Sequence, residues 1–141
     1  MKERKEGEII SLSSIAGFQP LPLMSTYAAT KAFNLFHSLG LKEELREFGI
    51  NVLAVCPGPV ATEFGGVARV PGTMTGGTRD SAESVVRSSL KALRHEKAFV
   101  VPCLRGKLIS LPSRLLSKSL TSRRVYKVLS KVYAKANKNN G

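Results

Sequence analysis

Acidic residues are scarce in this chain, and all but one lie in its first part. Of ten Asp and Glu, only Glu96 lies beyond residue 86. Residues 87–141 set 14 Lys and Arg against that one acid, a net charge of +13, while residues 1–86 set 8 against 9, a net of −1. Cysteine is almost missing too. Cys56 and Cys103 form no Cys-x-x-Cys pair, which argues against a disulfide scaffold or a zinc ribbon and for a reducing compartment. His37 and His95 stand apart from any cluster at metal-ligand spacing, so no metal centre is expected. There is no Gly-x-Ser-x-Gly elbow, which argues against a serine hydrolase. No Gly-x-Gly-x-x-Gly phosphate loop occurs anywhere. No apolar run approaches the roughly 18–20 residues of a membrane span. The opening MKERKEGEIISLSSIAG imitates a signal peptide, but Glu3, Glu6 and Glu8 and the shortness of its apolar run argue against one.

What is present reads as one domain of alternating strands and helices. Residues 1–7 read as a frayed helix end and a turn at Gly7. Residues 8–13 are short and apolar, as a buried parallel strand is. Pro20 and Pro22 bar helix from the loop over 15–25. Ser25 and Thr26 are candidate caps for a helix that runs to about Phe48 and stops at Gly49. A second strand over 50–56 ends at Pro57-Gly58-Pro59. Residues 63–79 are Gly-rich, without periodicity, and read as a mobile lid. Asp80 and Ser81 cap a helix over 82–95, and a third strand covers 98–102. This order predicts right-handed parallel βαβ units.

The stretch from Ser13 to Lys31 carries the chemistry. Tyr27 and Lys31 are four residues apart on the expected helix, so they share a face. A phenol titrates near pKa 10 and is a poor proton donor at neutral pH. A cation within about 4–6 Å favours the phenolate and makes the group usable as an acid or base. Ser14, thirteen residues before Tyr27, sits at a strand tip where it can stand beside that helix, with Ser13 as a rival.

Ser14-x-x-Gly17, the thirteen-residue spacing, Tyr27-Ala28-Ala29-Thr30-Lys31-Ala32 and the later Pro57-Gly58-Pro59-Val60-Ala61-Thr62 together resemble the short-chain dehydrogenase/reductase superfamily, over roughly residues 1–102. The resemblance implies the carboxyl-terminal half of a Rossmann-like, doubly wound α/β sheet. It implies an oxidoreductase that passes a hydride between NAD or NADP and a carbonyl or alcohol substrate. Tyr27 would be the general acid or base. Lys31 would support Tyr27 and bind the nicotinamide ribose, and Ser14 would orient the substrate oxygen. The nicotinamide would be held by Tyr27, Lys31 and the loop of Pro57, Gly58, Val60 and Thr62. Phe18, Leu21, Leu23 and Met24 either line an apolar substrate pocket or pack under their loop.

The family's Gly-rich first half is not in this sequence. Met1 therefore reads as an internal methionine, and the chain as a fragment, a truncated product or a degenerate relative. The alternative to an enzyme is a non-catalytic fragment or a basic peripheral protein.

Residues 103–141 read as a separate basic amphipathic tail. Val125, Leu129 and Val132 are helically spaced among Arg123, Arg124, Lys127, Lys131, Lys135 and Lys138. Such a tail either packs on the domain or meets an anionic membrane surface. Nucleic acid is disfavoured, because Tyr126 and Tyr133 are its only aromatics. The expected location is cytoplasmic, with peripheral membrane contact and a homo-oligomer left open.

Overall fold

The computed structural model describes residues 1–68 and 79–138. It is an α/β structure built on a three-stranded parallel sheet in the order β1 (Gly7–Leu12), β2 (Ile50–Val55), β3 (Phe99–Val100). Helix α1 (Ser25–Leu45) links β1 to β2. The connection from β2 to β3 carries the one-turn helix α2 (Phe64–Val67) and then α3 (Ala82–Arg94). Two helices follow, α4 (Leu104–Leu115) and α5 (Lys118–Lys138).

β2 is the axis of the core. Its side chains alternate between two faces, and both are covered. Ile50, Val52, Ala54 and Cys56 meet Leu35 and Leu45 of α1, while Leu53 and Val55 meet Val85, Ala92 and Leu93 of α3. A strand buried on both faces is why residues 52–56 read as a continuous apolar run, with half-buried Asn51 just before it. β1 pairs with it from Gly7↔Ile50 to Leu12↔Val55, and β3 only through Ala54↔Phe99 and Val55↔Val100. The third strand is thus shorter than expected, and Pro102, which has no N–H to donate, lies just beyond it.

β1, expected to be buried, is covered on one face only, with Ile10 and Leu12 exposed on the other. Two further expectations need correction. The crossovers from β1 to β2 and from β2 to β3 step the same way across the sheet, yet α1 and α3 lie on opposite faces. The two βαβ units therefore have opposite hands, and both cannot be right-handed. α3 is thus carried to the face of the sheet opposite α1. The cap of α1 also differs. Its N-cap is Met24, with no side-chain cap bond, and Ser25 is already helical. Leu23, at φ 70, turns the chain so that helix geometry starts one residue early.

Other boundaries follow the sequence. α1 closes through a short 3-10 turn, Arg46–Phe48, onto Gly49 at φ 64, the left-handed position that glycine takes at least cost. Ser81 caps α3, its hydroxyl accepting from the Ser84 N–H at 3.1 Å. Of the lid over 63–79, residues 69–78 lie outside the described residues, and its start is α2.

Candidate active site

The site is built where β1 and β2 end. Past Leu12 the ladder continues into the loops. The Ser13 N–H donates to the Val55 carbonyl at 2.8 Å and the Ile15 N–H to the Pro57 carbonyl at 3.0 Å. Ser14 is buried. Its hydroxyl oxygen accepts from the Ala16 N–H at 3.1 Å, capping the 3-10 turn Ile15–Phe18, and its proton reaches the Pro57 carbonyl at 3.4 Å. That last distance is long for a hydroxyl donor, whose bonds centre on about 2.7–2.8 Å. The rival, Ser13, donates to the Lys31 carbonyl at 2.6 Å, so its proton is committed to the helix backbone.

Tyr27 occupies the first turn of α1, half-buried. Lys31 lies one turn on, its ammonium 5.7 Å from the centre of the Tyr27 ring. The Lys31 ammonium donates to the Leu12 carbonyl at 3.2 Å, and the Asn34 amide reaches the same oxygen at 3.4 Å. Tyr27, Lys31 and Asn34 thus form a row along α1, and its second and third members hold the carboxyl end of β1. The i, i+4, i+7 spacing was a legible signal for Asn34, which the sequence reading missed.

Gly17 explains why this loop can lie on α1. A Cβ there would stand 2.8 Å from the Lys31 carbonyl oxygen, 2.9 Å from its carbon and 3.1 Å from the Ala32 nitrogen. All three are backbone atoms of the turn that carries Lys31. The glycine three residues after Ser14 is a point of close approach between backbones.

The second loop reaches the same edge. Pro57 is joined to Ser14 as above, and Gly58 passes beside Cys103. Val60 bridges to Asp80, with the Ala61 N–H donating to the Asp80 carbonyl at 2.8 Å and the Asp80 N–H to the Pro59 carbonyl at 3.0 Å. Thr62 is exposed, and its hydroxyl oxygen accepts from the Phe64 N–H at 3.4 Å. Phe64, at the start of α2, packs its ring 6.0 Å from that of Tyr27. No feature of the sequence pointed to Phe64. Ser14, Tyr27, Lys31 and Pro57 are thus brought to one sheet edge, and Thr62 is linked to them through Phe64.

Phe18 and Leu21 do line a groove, of about 650 Å³, with Ala28, Leu35, Phe36 and Phe99. Neither Tyr27 nor Lys31 lines it, and neither Leu23 nor Met24 does. His37 stacks on Phe33, with ring centres 5.5 Å apart. Among the described residues no group of three or more His, Cys, Asp or Glu could hold a metal ion.

Burial pushes the Cys103 thiol up from its ordinary pKa, and Asp80 raises it further, against smaller lowering from backbone N–H groups at Gly106 and Gly58. A raised pKa leaves less thiolate at neutral pH, and the thiolate is the nucleophile. Cys103 is therefore expected to resist iodoacetamide in the folded chain at pH 7.5 and to react once the chain is denatured. Mass spectrometry of the two reactions checks this, and rapid modification of Cys103 in the folded chain would contradict it.

The fold and this site define a parallel α/β half-sheet that gathers Ser14, Tyr27 and Lys31 at its carboxyl edge. The family model "short chain dehydrogenase" matches residues 1–69. The very-long-chain 3-oxoacyl-CoA reductase of Mus musculus is 35% identical over 134 residues, covering 87% of this chain and 41% of the relative. The 17-beta-hydroxysteroid dehydrogenase type 3 of Rattus norvegicus is 32% identical, covering 99% of this chain and 45% of the relative. Among solved structures, a short-chain dehydrogenase from Sphingobium yanoikuyae in complex with NADPH superposes with a TM-score of 0.67 at 35% identity, covering 73% of this chain and 40% of that one. One from Burkholderia cenocepacia, in complex with NADP, gives 0.70 at 26% identity, covering 85% and 49%. The chain belongs to the short-chain dehydrogenase/reductase superfamily, and it spans less than half the length of these relatives.

Proposed function

We propose that this chain carries the catalytic residues of an NAD(P)-dependent oxidoreductase that interconverts a carbonyl and an alcohol. The observation that carries the reading is the meeting of Tyr27 and Lys31 with the ends of β1 and β2, where open α/β sheets bind ligands. The Tyr27 hydroxyl gives its proton to the carbonyl oxygen during reduction and takes it back during oxidation. Lys31 holds the ribose. Its ammonium spends one of three protons on Leu12, which leaves two for that task. Ser14 turns its loosely held proton from Pro57 to the substrate oxygen, and the tight bond of Ser13 to the helix backbone favours Ser14 for this role. Pro57, Gly58, Val60 and Thr62 hold the carboxamide, and the Thr62 hydroxyl, which only accepts from Phe64, keeps its proton to donate. These residues fit NAD or NADP, which when bound would supply the hydride in its reduced form and accept it in its oxidised form.

For substrate we propose an apolar carbonyl compound, and on the strength of relatives named very-long-chain 3-oxoacyl-CoA reductase, a long-chain 3-oxoacyl thioester. Steady-state oxidation of NADPH and NADH by the native enzyme, with long- and short-chain 3-oxoacyl thioesters, tests this. The long chain should give the higher kcat/KM, and a preference for the short chain would contradict the assignment.

The 141-residue chain by itself should bind NADPH only weakly. The pyrophosphate of a dinucleotide normally sits on a Gly-rich turn at a helix N-terminus, and the sequence has no such turn. Calorimetric titration checks this, and micromolar affinity would mean that this chain holds another phosphate site.

The reading extends to surroundings. Two cysteines held outside any disulfide suit a cytoplasmic location. Phe33 and Phe36, 67% and 68% exposed on α1, suit a homo-oligomer in which a second copy covers them. Residues 103–138 carry ten Lys and Arg and no Asp or Glu, which suits an anionic membrane surface, where each cation contributes about 1 kcal/mol. No described helix is long and apolar enough to cross a membrane.

A further inference from the structure

We infer that α4 is the element that enters an anionic bilayer surface, with Leu104, Leu108, Leu111 and Leu115 as the inserting face. The inference rests on the reading that the basic tail meets such a surface, and it names the part that goes below the headgroups. At about 100° per residue, these four leucines fall within roughly 60° of arc. They are 73%, 65%, 52% and 79% exposed. On the opposite side of the helix Gly106 and Ser110 are buried. A Cβ at Gly106 would stand 2.9 Å from the Cys103 sulfur and 3.0 Å from a Val101 methyl. The helix therefore docks by its glycine and serine side and presents its leucines outward. A surface helix of a globular domain does the reverse.

The stripe expected from the sequence does not compete. Val125, Leu129 and Val132 of α5 are all half-buried. α4 has 12 residues and is about 18 Å long at 1.5 Å per residue, too short to cross a hydrocarbon core of about 30 Å. It is of a length to lie in the interfacial plane, apolar face down, as monotopic helices do.

Charge decides between lipid and a second copy as the cover. The leucine row sits in a segment with ten cations and no acids over residues 103–138. Two copies meeting through this face would bring like charges together. An anionic headgroup layer would bring opposite ones.

The chain contains no tryptophan, so Leu108→Trp introduces a single reporter. With vesicles of phosphatidylserine and phosphatidylcholine, its emission should shift to the blue and be quenched by brominated acyl chains. Val86→Trp, at an exposed site on α3 (55%), should do neither. The pair Leu104→Ser and Leu111→Ser should weaken vesicle binding by at least about tenfold, with the remainder released by salt. Binding at low salt without shift or quenching at Leu108→Trp would overturn insertion and leave the electrostatic reading standing. No sedimentation with anionic vesicles would overturn both. A blue shift that follows protein concentration without vesicles would assign the stripe to a second copy and overturn the lipid surface.

Discussion

Tyr27→Phe should lower kcat of the native enzyme by about 10²–10⁴-fold, the usual contribution of a general acid or base, while the melting temperature stays within a degree or two. The substitution keeps the ring, and with it the packing against Phe64 at 6.0 Å. Only the hydroxyl that would move the proton goes. The row behind it is untouched, since Lys31 and Asn34 both reach the Leu12 carbonyl without help from Tyr27. Steady-state reduction and a thermal melt, run on the same preparations, check both halves. Wild-type turnover in the variant would remove Tyr27 from the chemistry, and a large drop in melting temperature would show that it was holding the fold instead.

Gly17→Ala should cost about 1–3 kcal/mol of stability, the usual cost of overpacking, and should lower activity as well. The added methyl would meet Lys31 and Ala32 backbone atoms at 2.8–3.1 Å. Neither side can yield cheaply, because one is a helix and the other a turn capped by Ser14. The loop must lift away from α1, and the helical turn bearing Lys31 must shift with it. Gly66→Ala is the control, since nothing stands within 4 Å of a Cβ there, and it should leave urea midpoint and turnover unchanged. Equal midpoints for the Gly17 variant and wild type would show that the loop approaches α1 less closely than described.

Much of this was legible because the physics involved is local. A doubly buried strand writes itself as the unbroken apolar run Val52 to Cys56, and a helix end writes itself as Gly49. Tyr27 and Lys31 are coupled by helical spacing alone. Ser14 was favoured over Ser13 in the sequence by its distance from Tyr27 and by Gly17 three residues on. The hydrogen bonds that separate the two serines run to Pro57 and Lys31, 43 and 18 residues away. The hand of the second crossover was not legible either. It depends on which face of the sheet receives α3, a choice that strand and helix periodicity do not encode. The outward leucines of α4 were hidden for a related reason. Periodicity shows that Leu104, Leu108, Leu111 and Leu115 share a face, but which face docks was decided by Gly106 beside Cys103 and Val101.

The most direct measurement of the central claim is isotope transfer. The native enzyme, given NADPH carrying deuterium at the transferable C4 position and a long-chain 3-oxoacyl thioester, should yield a 3-hydroxyacyl product with one deuterium on carbon 3. The Tyr27→Phe variant should yield the same label at a rate lower by about 10²–10⁴-fold. Product without deuterium, or cofactor oxidation with no alcohol formed by the wild-type enzyme, would contradict hydride transfer at this site.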